Sequence, residues 1–181
     1  MNPWRALLAL SFLLLGGCLV TFDEPLPGAD SAPKGLLGQW RSQDAWGESL
    51  TLNISQDKAG AYTATTQAQG RAAQRHRFTV VQRGNRWYLS APVPAAFGSG
   101  FTVAGFDLVG QRELVIYSLD VEQIRQAVAA GELKGHALEA VADDGPGMRI
   151  DSPIAQVQAY LDDSANTDLF VEAARFQRTG Q

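Results

Sequence analysis

The feature that most constrains this chain is an alternation of apolar and polar residues with a period of two, repeated in short runs that turn residues interrupt. Ser49-Leu50-Thr51-Leu52-Asn53-Ile54 places Leu50, Leu52 and Ile54 on one face of an extended segment. Asp57-Lys58-Ala59-Gly60 then turns the chain into Ala61-Tyr62-Thr63-Ala64-Thr65-Thr66. His76-Arg77-Phe78-Thr79-Val80-Val81 runs into Arg83-Gly84-Asn85 and returns as Arg86-Trp87-Tyr88-Leu89-Ser90, the pattern of a second hairpin. Further strands are expected at Phe101–Val109, at Glu113–Ser118 after the turn Gly110-Gln111-Arg112, at Ala137–Val141 and at Leu169–Gln177, about eight or nine in all. A side-chain period of two buries one face of each strand, so such a chain must stack or curl its sheet to hide that face.

Two segments follow a helical period instead. Asp120 is a good N-cap with Gln123 three residues on. Val121, Ile124 and Val128 share a face, and Gly131 is the stop. Ser152-Pro153 opens the second helix as N-cap and first helical position, and Ile154, Val157 and Leu161 repeat behind it. Both helices are placed to cover an open edge or end of the sheet. The expected fold class is therefore mainly β (α+β), a curved antiparallel sheet or barrel of about eight strands with two short amphipathic helices. Its 181 residues, 45% hydrophobic and 19% charged, suit one globular domain. One cysteine excludes an intramolecular disulfide, a zinc knuckle and an iron–sulfur site.

The amino terminus carries an address. Arg5 precedes the apolar run Ala6–Leu15, which ends in Leu15-Gly16-Gly17-Cys18. About 10 apolar residues make a helix of roughly 15 Å, too short for a permanent span, and residues 1–17 have the form of a signal peptide. Leu15-Gly16-Gly17-Cys18 resembles the lipobox of bacterial lipoproteins. The resemblance implies that Cys18 receives a diacylglyceryl group, that cleavage falls before it, and that its new amino group is acylated with a fatty acid such as palmitate. Several acyl chains at ~0.8 kcal/mol per buried CH₂ anchor a protein stably. Leu19, where an Asp would favour retention at the inner membrane, points by the same resemblance to the outer membrane of the cell envelope, on its periplasmic face. Residues 18–34, with Pro25, Pro27 and Pro33 among acids, are expected to be an extended tether, and residues 35–181 the single periplasm-side domain.

Gly38-Gln39-Trp40, just before the first hairpin, resembles the Gly-x-Trp signature of lipocalins and their calycin relatives. In that family the Trp closes one end of an antiparallel barrel and an Arg from near the last strand stacks over it. The resemblance implies this pairing for Trp40 with Arg175, or with Arg178 just beyond. The other reading of Trp40 is an ordinary core aromatic. The chain lacks the family's Thr-Asp-Tyr loop motif and inserts a helix at 120–130 among its strands.

Motifs for catalysis are missing. There is no nucleophile elbow, P-loop, dinucleotide fingerprint or His-Glu-x-x-His helix, and Gly98-Ser99-Gly100 has the spacing of a turn. The only histidines are His76, expected half-buried beside Phe78 and Val80, and His136. Asp162, Ser164, Asn166 and Asp168 alternate as in a calcium loop. Thr167 stands where that loop needs Gly and Ala173 where it needs Glu, so the expectation is a helix end followed by a polar turn. Asp143-Asp144-Gly145-Pro146-Gly147 is read as turn chemistry. No metal, no cofactor and no enzymatic activity are expected.

Charge is unevenly spread. Between Lys58 and Phe106 there is no Asp or Glu, whereas Lys58, Arg71, Arg75, Arg77, Arg83 and Arg86 all fall there. On the strand, Arg75, Arg77, Thr79, Val81 and Arg83 face away from His76, Phe78 and Val80. Arg75, Arg77, Arg83 and Arg86 therefore either meet an anionic surface, such as lipid head groups or an acidic partner, or pair with the surplus acids of residues 107–181 across neighbouring strands. The compartment argues against nucleic acid. The expected function is a lipid-anchored, non-catalytic binding or interaction module for an apolar small ligand or an envelope component. The alternative is an accessory or structural subunit of an outer-membrane assembly, and a hydrolase ranks behind both.

Overall fold

The computed structural model describes residues 19–28, 31–43, 49–58, 60–68, 70, 72–94, 99–138, 147–166 and 168–179. Leu15–Cys18, Arg71 and Asp143–Pro146 lie outside them, as does most of the strand expected at Ala137–Val141. In chain order the strands are β1 (Val20–Phe22), β2 (Gly38–Gln43), β3 (Ser49–Gln56), β4 (Tyr62–Ala68), β5 (Gln74–Arg83), β6 (Arg86–Pro92), β7 (Phe101–Val109) and β8 (Glu113–Leu119). Helix α1 (Val121–Ala129), strands β9 (Gly135–Ala137) and β10 (Met148–Ile150), and helix α2 (Ile154–Asp162) precede the final strand β11 (Phe170–Arg178).

Strands β2 to β8 form an antiparallel meander, and β11 pairs with both β8 and β2, which closes an eight-stranded barrel. Closure removes the sheet edges that the helices were expected to protect. The helices lie instead against the outer wall. Val81, Tyr88, Val103 and Leu119 face outward from β5 to β8 and pack with Val121, Ile124 and Ala127 of α1, with Val157 and Leu161 of α2, and with Val20, Phe22, Met148 and Ile150. A second core fills the barrel itself, from Trp40, Leu52, Tyr62, Phe78, Val80, Phe106, Leu114, Ile116 and Phe176. The alternation read from sequence thus buries both faces along one side of the barrel, because a second layer covers it.

The helix termini follow sequence in one case and depart from it in the other. Asp120 Oδ1 accepts from the Glu122 and Gln123 amides at 2.8 and 3.4 Å, as an N-cap should. Ser152 does not cap α2. Its hydroxyl is buried and accepts from the Lys134 amide at 2.7 Å, leaving Pro153 at the N-cap position. The hydroxyl is drawn away because β9 and β10 bring that amide beside it.

The expected tether is also corrected. Val20, Thr21 and Phe22 are almost wholly buried as β1, which runs parallel to β10 and meets the start of β7 at Phe22↔Phe101. Leu26 is buried too, and its amide donates to the Ser90 hydroxyl at 3.1 Å. Residues 19–28 therefore pack with the described fold, ahead of the Gly35 at which the domain was expected to begin. Prolines and acids dominate the composition of this stretch, but Val20, Phe22 and Leu26 supply enough apolar surface to hold it down. Gly100 is part of that seam: at φ +110° its missing Cβ leaves room for the Phe22 carbonyl.

Candidate functional site

Among the described residues, one end of the barrel is sealed and the other is left open. At the sealed end Lys34–Leu36 forms a short 3₁₀ turn across the opening, and Leu36 is buried. Trp40, fully buried, donates from Nε1 to the Leu36 carbonyl at 3.0 Å. The guanidinium of Arg178 lies over the Trp40 ring at 4.2 Å from its centroid. It donates to the carbonyls of Gln111 at 2.9 Å, Leu37 at 3.1 Å and Gly35. One side chain thus ties together the 3₁₀ turn, the β7–β8 turn and the first barrel strand. Gly38 adopts φ +122°, and a Cβ there would sit 2.9 Å from Arg178 Nη1, so the glycine of Gly-x-Trp is what lets the guanidinium pass.

Arg175 does not take that place. Residues 174, 176 and 178 of β11 point inward, as the burial of Phe176 and the Arg178↔Trp40 pairing require, so Arg175 points outward. There it bonds Glu113 at 2.9 Å and Glu172 at 2.6 Å. The hydrogen bond from Arg175 holds the Glu172 carboxyl below the usual carboxylate range. The parity relative to Phe176 was the signal in the sequence that separates the two arginines.

The open half of the barrel holds a cavity of about 80 Å³. Leu52, Ile54, Phe78, Leu89, Ala104 and Ile116 make most of its wall, and Leu19, Pro92 and Pro94 stand at its mouth. Three polar side chains reach it: His76, Thr102 and Ser118. An eight-stranded barrel has an interior wide enough either to be filled by side chains or to hold one small ligand. Here the aromatic residues fill the sealed half, whereas Ala64, Ala91 and Ala104 leave the other half open.

His76 is half-buried on the inward face of β5, as its neighbours Phe78 and Val80 led us to expect. Burial pulls its imidazole below the ordinary value of 6.5, so it is neutral at neutral pH. Below that ordinary value the unfolded chain binds a proton that the folded chain refuses. Stability is thus expected to fall as pH is lowered through about 6.5, and to level off once folded His76 protonates as well. Urea midpoints at about pH 7.5 and about pH 5.5 for the natural chain and His76→Gln check this, the variant losing part of the drop. His136 sits elsewhere, exposed, with Nδ1 2.9 Å from Asp151 Oδ2.

The four arginines expected to share a surface are separated. Arg75 and Arg77 are exposed on the outer face of β5. Arg83 donates to the Pro27 carbonyl at 3.0 Å, and Arg86 lies over the Phe170 ring at 5.1 Å. Arg83 and Arg86 also line an open cleft with Asp107, Asp162 and Asp163, so at this end of the hairpin the basic residues face acids. The polar turn after α2 contributes the same acids. Asp163 Oδ1 accepts from the Ala165 amide, and Asn166 donates to the Tyr160 carbonyl, which are turn contacts.

A comparison of the chain with protein-family models, curated proteins and solved structures finds no match.

Proposed function

We propose that this chain is a bacterial envelope lipoprotein, anchored through acyl groups on Cys18 at the periplasmic face of the outer membrane, whose barrel is a non-catalytic binding module for a small apolar ligand. The observation that carries the binding half is the cavity: an apolar wall inside a barrel otherwise packed with aromatic side chains, with three hydrogen-bonding side chains among its lining. A site of that kind takes its affinity from the wall and its orientation from the few polar groups. Its volume is below the roughly 150 Å³ of an engineered cavity that holds benzene, so the fitting guest is slim, such as the end of an acyl chain with a hydrogen-bonding group near His76, Thr102 or Ser118.

Lipobox and leader support the anchor. A sealed end built from Gly38, Trp40 and Arg178 of the last strand supports the likeness to lipocalins.

The test is native mass spectrometry of the acylated chain purified from its own envelope, before and after organic extraction. We expect a non-covalent mass that extraction removes. Ala91 lines the cavity and is partly exposed, so Ala91→Leu is expected to fold and to carry at least tenfold less of that mass. A bare chain from every preparation, with Ala91→Leu indistinguishable from the natural protein, overturns the binding reading. The whole chain from residue 18 is needed, because β1 belongs to the fold.

A further inference from the structure

We infer that the open end of the barrel is the surface that rests on the membrane, with Arg75 and Arg77 on anionic lipid head groups and the cavity mouth turned to the bilayer. Three observations made on different parts of the chain converge on this end. First, the mouth has an apolar rim of Leu19, Pro92 and Pro94, with Pro92 exposed. Second, Leu19 stands at that rim, held by its carbonyl, which accepts from the Met148 amide at 2.8 Å. A chain anchored at Cys18 therefore emerges from the lipid one residue before the mouth, with no spacer to lift the barrel away. Third, the arginines next to the mouth are free. Arg75 and Arg77 flank His76, whose side chain lines the cavity, and no ion pair or hydrogen bond engages either among the described residues.

The face around them explains why they are unpaired. The outward residues of β2 to β5 in register with them are Gln39, Asn53 and Thr65 beside Arg75, and Ser55 and Thr63 beside Arg77. All are neutral. Among the described residues, Asp107, Glu113, Asp162, Asp163 and Glu172 lie on another side of the barrel, facing Arg83, Arg86 and Arg175, Asp23 and Asp151 bond Arg149, and Asp57 stands in the β3–β4 turn. A surface that joins unpaired guanidinium groups to an apolar rim matches a phosphate layer over hydrocarbon. Arginine stems lie along the apolar surface while their heads stay at the phosphates. A soluble anion would satisfy the arginines but leave the rim in water.

This inference rests on the anchored-barrel reading above, and the experiment separates the two. Intact mass comes first. For the acylated chain reconstituted in vesicles, single cysteines at Pro92 and at Val109, the latter on the sealed end, carry a fluorophore, and lipids bearing a quencher report contact. We expect strong quenching at Pro92→Cys and little at Val109→Cys in vesicles containing phosphatidylglycerol. Arg75→Gln with Arg77→Gln should bring the Pro92 signal down toward that of Val109. Equal quenching at the two positions overturns the inference with the anchor intact. If intact mass shows no acyl groups on Cys18, the anchor reading fails, and sedimentation of the unacylated chain with phosphatidylglycerol vesicles becomes the test. Binding that weakens about thirtyfold in the double variant, at about fivefold per arginine, upholds the membrane face. Absence of binding, or binding that the double variant leaves unchanged, overturns it.

Discussion

Replacing Trp40 with alanine is expected to lower the unfolding free energy by about 3–5 kcal/mol, the largest loss of any single truncation in this chain. Trp40 is fully buried at the sealed end among Leu52, Phe106, Leu114 and Phe176, all themselves within 1% exposure. Truncation would empty the space between them, release the Leu36 carbonyl from the indole N–H at 3.0 Å, and leave the Arg178 guanidinium over nothing. The barrel cannot collapse into such a gap, since its radius is set by the paired strands around it. Urea unfolding followed by circular dichroism gives the number. Trp40→Phe is the companion variant: it keeps most of the volume and loses the hydrogen bond, so it should fall well short of the alanine loss.

Arg178→Ala is the second large effect, about 2–4 kcal/mol. The guanidinium satisfies three carbonyls from two segments far apart in the chain, and a hydrogen bond from a charged donor to a partly buried acceptor is worth more than a neutral one. Arg178→Lys should recover only a part of the loss, because an ammonium cannot present the planar fork that reaches Gln111, Leu37 and Gly35 together. Arg175→Ala is the control. Its ion pairs with Glu113 and Glu172 are exposed, and its urea midpoint should match that of the natural chain. If the two alanine variants were equally destabilised, the assignment of Arg178 to the sealed end would be wrong. Equal stability of Arg178→Ala and the natural chain would have the same meaning.

What could be read from the chain alone follows from how local each signal is. The hairpins at 49–66 and 76–90 were legible because turn residues and alternation sit within a few residues of one another. Asp120 was legible as a cap because its partners, the Glu122 and Gln123 amides, lie two and three residues away. Ser152 was not, because its partner, the Lys134 amide, is 18 positions distant. The segment after Cys18 failed for the same reason. Its composition describes a linker, whereas its fate depends on β10, more than a hundred residues later. The candidate site was legible in part. His76 could be placed inward from Phe78 and Val80, and Trp40 from Gly-x-Trp, but the choice between Arg175 and Arg178 needed their parity relative to Phe176, whose inward side only the closed barrel fixes.

Sequence alone determined the strand-rich class, the two helices and the acid-free arginine block, because periodicity, capping and charge are written in neighbouring residues. Tertiary structure decided that the sheet closes, that the helices lie on its wall, that Arg83 and Arg86 face acids while Arg75 and Arg77 do not, and that Leu19 stands at the cavity mouth. Each of those outcomes is a pairing between residues far apart in the chain. A sequence records such pairings only through the side of the strand on which each residue falls, and that side has meaning once the register is known.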